Sequence, residues 1–405
     1  MGKGQGWGGA FGVGTESTYA TGVAASKWIP ITDESVKLTR PSESAGGIYT
    51  TREVYFQLPG IQGVSGGFKL EADADHLGLP LFYVNGQVST STIAAYGSAP
   101  SVATNSGGTL DGTYYYKTAA VLLRTVDSKY FFGSGSAVSS SVNPTGGNGT
   151  VDITWSNPTI PSGFTHYGTA IFRGTVSGSE TFLAINVGTG TSYSDDGSDT
   201  LGTAPVPGTI YLHSYTPAAP VAGTHPLPSF SVVKMMDQSG TSTERYLGAR
   251  MGQFKFSIGD PGSPAMAEFE LMARNVELIA NPTPSYTAVR PMMSWQGFCA
   301  IDGTQATFFE GADITLNNNL EEVPALSGNQ YHRDFYPKIR DISGSLKFAY
   351  ENKDQWTRMK DATEFALNIY CDGTPTTASC AITSPITCEA LNYSINMHAP
   401  KCLYQ

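Results

Sequence analysis

Four clusters in this 405-residue chain have residue types that could do chemistry. Gly63-Val64-Ser65-Gly66-Gly67 matches the G-x-S-x-G pattern of an activated serine nucleophile. That chemistry needs the serine on a sharp strand-to-helix turn. Here the pentapeptide opens an alternating strand instead. Asp73, Asp75 and His76 could sketch a metal site, but a carboxylate-rich helix start beside a surface histidine is the commoner arrangement. Asp195-Asp196-Gly197-Ser198-Asp199 offers oxygen ligands for calcium, yet a turn between strands explains it more simply. Gly4, Gly6 and Gly9 spell G-x-G-x-x-G with no strand before them, so no dinucleotide loop is expected. The sequence holds no Walker loop and no H-E-x-x-H. The expectation is a protein without catalytic residues, metal or cofactor.

The five cysteines are Cys299, Cys371, Cys380, Cys388 and Cys402. No C-x-x-C pair occurs, and the spacing is too loose for a zinc knuckle. The first residues, MGKGQGWGGAFGVG, contain no apolar core of a secretory signal, and no run approaches a membrane span. Reduced thiols are therefore expected. Asn148-Gly149-Thr150 and Asn392-Tyr393-Ser394 match the glycosylation pattern, which carries no meaning without a secretory route.

Composition narrows the fold. Charged residues are only 14% of the chain, with 46 Gly and 24 Pro, and short alternating runs lie between turn residues. This predicts a mainly β protein with a large total core. The net charge of −10 argues against a nucleic-acid binder that works by neutralising phosphates.

The stretch Asp313–Gly373 organises the rest. It reads as strand (312–318), polar loop (319–338), strand (341–350), short helix (353–361) and strand (364–371). Residues 33–86 repeat the pattern: strand (34–39), loop (40–52), strand (53–58), strand (64–74), then a helical turn (75–83) that Asn85-Gly86 can end. Val36 falls on Ile314 and Val64 on Ile342, both at a spacing of 278, and Glu43 falls on Glu321. Two strands keeping one spacing across a loop of unchanged length indicate an internal duplication.

Residues 1–30 read as a Gly-rich arm whose aromatics, Trp7 and Phe11 among them, could anchor a partner. Residues 98–208 carry short strands with turn signals between them and read as an inserted immunoglobulin- or fibronectin-like sandwich, bounded by small-residue linkers. The remainder, 31–90 with 209–405, then forms one discontinuous domain. In it, 227–237 is a strand, Met251–Ile258 and Ala265–Arg274 pair around GDPGSP, and Cys388–Cys402 reads as a last strand.

The order GTESTYAT, TDESVKL, GGFKLEADADHLGLPLF, LPSFSVV, YLGARMGQFKFSI, ADITLNNNLEE and TEFALNIY resembles tailed-phage tail tube proteins of the long, non-contractile kind, over about residues 12–86 and 209–405. The resemblance implies a tail-tube β-sandwich with a flanking short helix. It implies six subunits per ring, with hairpins joined into an inner β-barrel. Rings would stack into a tube through which genome DNA passes without specific binding. Tail terminator, tape measure and distal tail proteins would be partners, in a virion assembled in the host cytoplasm. The arm and the loops at 40–52 and 319–338 would contact neighbouring rings, and the inserted sandwich would project outward.

Within that frame, strand alternation assigns Lys69, Glu71, Asp73, Lys255, Glu268 and Glu270 to the lumen, opposite Phe68, Leu70, Phe254, Phe256, Phe269 and Leu271. A negative surplus there repels phosphates. The long loop supplies Glu321, Tyr331, Arg333, Phe335 and Tyr336, a set suited to an interface buried on assembly, joined by Trp7 and Phe11 of the arm. The alternative function is a virion decoration protein, or one that touches the host surface through a glycan held by the inserted sandwich.

Overall fold

The computed structural model describes residues 9–44, 57–146, 149–236, 243–306, 308–324, 330–349, 357, 360, 365–371, 380–381, 387–389 and 397–402. It is mainly β. In chain order the strands begin with β1 (Ala10–Thr15), β2 (Lys27–Ile29), β3 (Ile31–Glu34), β4 (Lys37–Thr39), β5 (Ser42–Ser44), β6 (Gln57–Pro59) and β7 (Gly63–Glu71). The helix α1 (Gly78–Asn85) follows, and Gly86, at φ 89°, closes it with its N–H on the Phe82 carbonyl. Next come β8 (Gly86–Thr92), β9 (Ser101–Leu110), β10 (Tyr115–Arg124), β11 (Tyr130–Gly135), β12 (Gly149–Thr154), β13 (Phe164–Gly174), β14 (Thr181–Val187), β15 (Ser192–Asp195) and β16 (Tyr211–Pro217). The last group is β17 (Phe230–Met235), β18 (Thr243–Ile258), β19 (Met266–Ala273), β20 (Asn275–Ile279), β21 (Gly297–Ile301), β22 (Thr304–Gln305), β23 (Phe309–Asn317), β24 (Leu320–Val323), β25 (Asp334–Pro337), β26 (Asp341–Phe348), β27 (Phe365–Cys371), β28 (Cys380–Ala381), β29 (Thr387–Glu389) and β30 (Met397–Cys402).

The long strand β18 belongs to two layers. Its first half pairs with β17 and β20, and its second half with β19 and β23. This change of partners divides the largest sheet into an antiparallel row of β3/β4, β7, β19, β18, β23 and β26 and a second wing of β2, β1, β17 and β18. A separate sheet, β22-β21-β27-β30, has the same antiparallel plan as that wing. One apolar cluster fills the space between, from Phe11 and Val13 through Phe68, Tyr83, Phe230, Phe254, Phe256 and Phe269 to Ile314, Leu367 and Ile369. Phe68 stacks on Phe269 at 5.2 Å and meets Phe11 at 4.7 Å.

Residues 93–210 fold around apolar clusters of their own. Strands β14-β13-β10-β11 form one sheet and β15-β12-β9 the other, and β29 adds to the first in parallel beside β11. The chain enters and leaves this unit through the two-stranded ribbon β8–β16, in which Thr92 faces Tyr211. The stretches flanking residues 93–210 are thus partly strands, where small-residue linkers were expected.

Several sequence expectations change here. Residues 10–29 are not an arm: β1 lies between β2 and β17, with Phe11 in the core. Its glycines mark close packing, since a Cβ on Gly14 would stand 2.3 Å from the Ala24 carbonyl oxygen. The expected strand at 34–39 is broken into β3 and β4. The expected loop at 319–338 holds the hairpin β24–β25, and that at 40–52 holds β5, which pairs with β6. The expected helix at 353–361 falls on residues of which only Thr357 and Lys360 are described, both helical. Most of the expected strand at 53–58 lies outside the described residues.

Candidate assembly surfaces

Period-two alternation gives the antiparallel row two unlike faces. Phe68, Leu70, Phe254, Phe256, Ala267, Phe269 and Leu271 are buried on one. The other carries Lys69, Glu71, Lys255, Glu268 and Glu270. Register sets these side chains opposite one another: Lys69 faces Glu268, and Glu268 faces Lys255. The Lys69 ammonium is 3.3 Å from Glu268, and Lys255 is 3.6 Å from Asp313. Lys347 on β26 reaches Glu310 at 3.1 Å. Glu71 and Glu270 are exposed. This face is hollowed, with Ser65, Lys69, Gln253, Glu268, Glu270 and Asn317 around an open volume of about 470 Å³. It is a laced surface of both signs with an acidic surplus, and the sequence reading had not foreseen the pairing of its lysines.

Asp73 does not share this face. It is 4% exposed and accepts hydrogen bonds from the Asp75 and His76 backbone N–H groups at 2.9 and 2.8 Å and from the His76 ring at 2.8 Å. It fixes the turn before α1, so its assignment to a lumen is withdrawn. Asp75 instead pairs with Lys27. Burial would raise the Asp75 pKa, but the hydrogen bond and charge of Lys27, with help from Thr287 and His76, hold the carboxyl below its usual range. Asp195 is a core residue of the unit formed by residues 93–210. Its carboxylate takes the Tyr116 hydroxyl and the Arg173 guanidinium, each at 2.8 Å. Among the described residues no cluster of His, Cys, Asp and Glu is arranged to hold a metal. Cys299 and Cys371 are buried, and burial pushes the Cys299 thiol up to about 12.

The hairpin β24–β25 has a docked side and an open side. Phe335 is 1% exposed, and its carbonyl accepts the His225 Nε2–H at 2.8 Å. Asp334 takes both ends of the Arg250 guanidinium at 3.3 Å, and Arg250 lies over the Tyr19 ring at 4.8 Å. Burial and the neighbouring Asp334 together raise the Tyr19 pKa. Asn318 holds the base of the hairpin by donating to the Val84 and Met251 carbonyls. Facing outward are Glu321, Arg333 and Tyr336, then Ile339 at 88% exposed. Glu321 pairs with Lys338 at 3.1 Å. Tyr331 forms a bridge with Gln62, and Arg40 donates to Gln330, so the chain after β4 and the hairpin meet.

Of the expected interface residues, Glu321, Arg333 and Tyr336 are exposed and Tyr331 is half-buried. Phe335 and Phe11 are core side chains, which removes them from any interface. Trp7 lies outside the described residues. Ile339 and Ile342 were missed. Ile342 sits on β26 at 51% exposed, and only its lack of cover in the fold separates it from a core strand residue.

A sequence model described as phage tail tube protein matches residues 6–387. The chain belongs to the phage tail tube protein family. Compared with individual curated proteins it has no match. As a tail tube protein it is a structural component of the virion tail, self-assembling with other tail proteins and not an enzyme. The G-x-S-x-G pentapeptide accordingly lies inside β7, with Ser65 set opposite Lys37 and Met272.

Proposed function

We propose that copies of this chain close into rings, six wall units to a ring, and that the rings stack into a non-contractile tube through which the genome passes. The observation that carries the reading is the hollowed, mixed-charge face of the antiparallel row, backed by a continuous apolar core. In a closed wall the apolar side packs within the subunit and the charged side lines the channel. Glu268 neutralises Lys69 and Asp313 neutralises Lys255 there, and the exposed Glu71 and Glu270 leave the lining negative. Phosphates are repelled from such a surface.

Stacking is assigned to the open side of β24–β25 and the adjoining chain after β4: Glu321, Arg333, Tyr336 and Ile339, with Leu58 and Ile61, which are exposed apolar residues beside the Gln62–Tyr331 bridge. Residues 93–210 are read as an inserted sandwich of immunoglobulin or fibronectin type. It is carried outside the wall on the β8–β16 ribbon, with the tube domain in the residues before and after it. Negative-stain electron microscopy of the purified protein tests the reading. Rings or tubes with a central channel are expected, and dispersed monomers at every concentration and ionic strength would sink it.

A further inference from the structure

We infer that one chain supplies two wall units, so that a six-unit ring contains three chains. The inference rests on the ring reading above and concerns what the repeating unit is.

The warrant is strand register. In the first hairpin Lys37, Leu38 and Thr39 face Ser65, Val64 and Gly63. In the second, Thr315, Leu316 and Asn317 face Ser343, Ile342 and Asp341. Each residue of the second set stands 278 positions after its counterpart in the first. The spacing holds farther along, where Glu34–Phe68, Asp33–Lys69 and Ile31–Leu70 match Ala312–Leu346, Gly311–Lys347 and Phe309–Phe348. A bulge interrupts both hairpins at the same place, between Ile31 and Asp33 and between Phe309 and Gly311. A bulge shifts the alternation of side chains, so two unrelated hairpins have no reason to place it identically.

The outer layers repeat as well. The order β2-β1-β17-β18 of the first half matches β22-β21-β27-β30 of the second, every neighbour antiparallel. The hairpins β3/β4–β7 and β23–β26 run in the same sense within one row, separated by β19 and β18. A displacement along the wall therefore carries one hairpin onto the other, which is the relation a ring imposes between neighbouring units. The chain contains that neighbour relation within itself.

Among the described residues β19 and β20 have no counterpart in the second half, and the halves differ also in the segment between the hairpin and the third outer strand. The sandwich of residues 93–210 lies between α1 and β17 in the first half. In the second half only residues 349–364 separate β26 from β27. Each chain thus carries one sandwich for two wall units, and the outer modules count the chains. End-on averages of tubes or single rings by electron cryo-microscopy, with the ring mass measured by mass photometry, decide the matter. Three outer modules around a wall of six similar units, and the mass of three chains, are expected. Six modules, the mass of six chains, or any other count overturns the inference while leaving the tube reading intact. Absence of rings would instead overturn the tube reading.

Discussion

Gly66 and Gly344, also 278 positions apart, lie against the same piece of backbone in their two hairpins. A Cβ on Gly66 would stand 2.5 Å from the Ser35 carbonyl oxygen, and one on Gly344 would stand 2.5 Å from that of Asp313. Ser35 and Asp313 share the same spacing. The duplication thus extends to a close approach that forbids a side chain, a constraint shared by two positions whose neighbours otherwise differ.

The two glycines are not equally constrained. Gly66 also has φ +143°, a conformation L residues rarely adopt, whereas Gly344 has the contact alone. Gly66→Ala is expected to lower stability by about 1–3 kcal/mol from backbone strain, beyond the cost of relieving the clash, and Gly344→Ala by less. Urea unfolding of the two variants measures this. Equal losses, or none at Gly66, would contradict the local backbone described here.

The lumen assignment makes a charge prediction. Glu71 and Glu270 are exposed on the polar face, so Glu71→Lys combined with Glu270→Lys is expected to change stability by no more than about 0.5 kcal/mol. Tubes of the double variant should form and should retain DNA fragments in co-sedimentation at low salt, with release as salt rises. Native tubes should retain little. Tubes of the variant that ignore DNA would place these residues outside the channel.

Legibility in the sequence followed side-chain periodicity. β7, β19, β23 and the second half of β18 alternate cleanly, and their buried faces are those the pattern assigns. The first half of β18 is buried on both faces from Tyr246 to Met251, so it shows no alternation to read. β1 was hidden by glycines that serve packing against Trp28 and Ala24. β24 and β25 are four residues each and are held by remote partners, Arg250 and His225, which no local pattern announces. The polar face was legible as a face. The ion pairs across it were not, because they depend on which strands become neighbours.

His225 links hairpin docking to pH. Burial, and then the nearby Arg250 charge, lower its pKa below the ordinary value of 6.5, against smaller opposing effects from Phe335, Asp334 and Leu227. The folded state favours the neutral ring, so this contribution is complete above the unfolded pKa near 6.5. It is lost as pH falls from there through the lower folded pKa. Amides of β24 and β25 are expected to exchange hydrogen faster, relative to intrinsic rates, at pH 5 than at pH 7.5. His225→Gln should flatten that dependence. An unchanged pH profile in the variant would remove His225 as its source.

Tyr336 and Ile339 stand on the open side of the hairpin at 50% and 88% exposed. Tyr336→Ser with Ile339→Glu is expected to leave the melting temperature of the unassembled chain within a few degrees, because little core contact is removed. Assembly should fail or need much higher protein concentration, since a hot-spot side chain of a buried interface contributes about 2 kcal/mol or more, roughly thirtyfold in affinity. Sedimentation velocity separates the two effects. Normal tube formation by the double variant would move the stacking contact elsewhere.

The inserted unit can be removed where the ribbon allows it. Thr92 and Tyr211 face each other at the head of β8–β16, so residues 93–210 can be replaced by an Asn-Gly turn without changing the register below them. The core that remains, from Phe11 through Phe269 to Ile369, shares no residue with the clusters of the insert. The shortened chain is expected to fold and to assemble into thinner tubes of unchanged inner diameter. In contrast, Asp195→Ala in the full chain leaves Arg173 buried without its partner, a loss of about 3–5 kcal/mol, and should unfold the insert alone while tubes still form. Electron microscopy of both variants, with limited proteolysis to follow the insert, distinguishes a carried module from a structural part of the wall. Failure of the shortened chain to assemble, when circular dichroism shows it folded, would make the insert part of the wall.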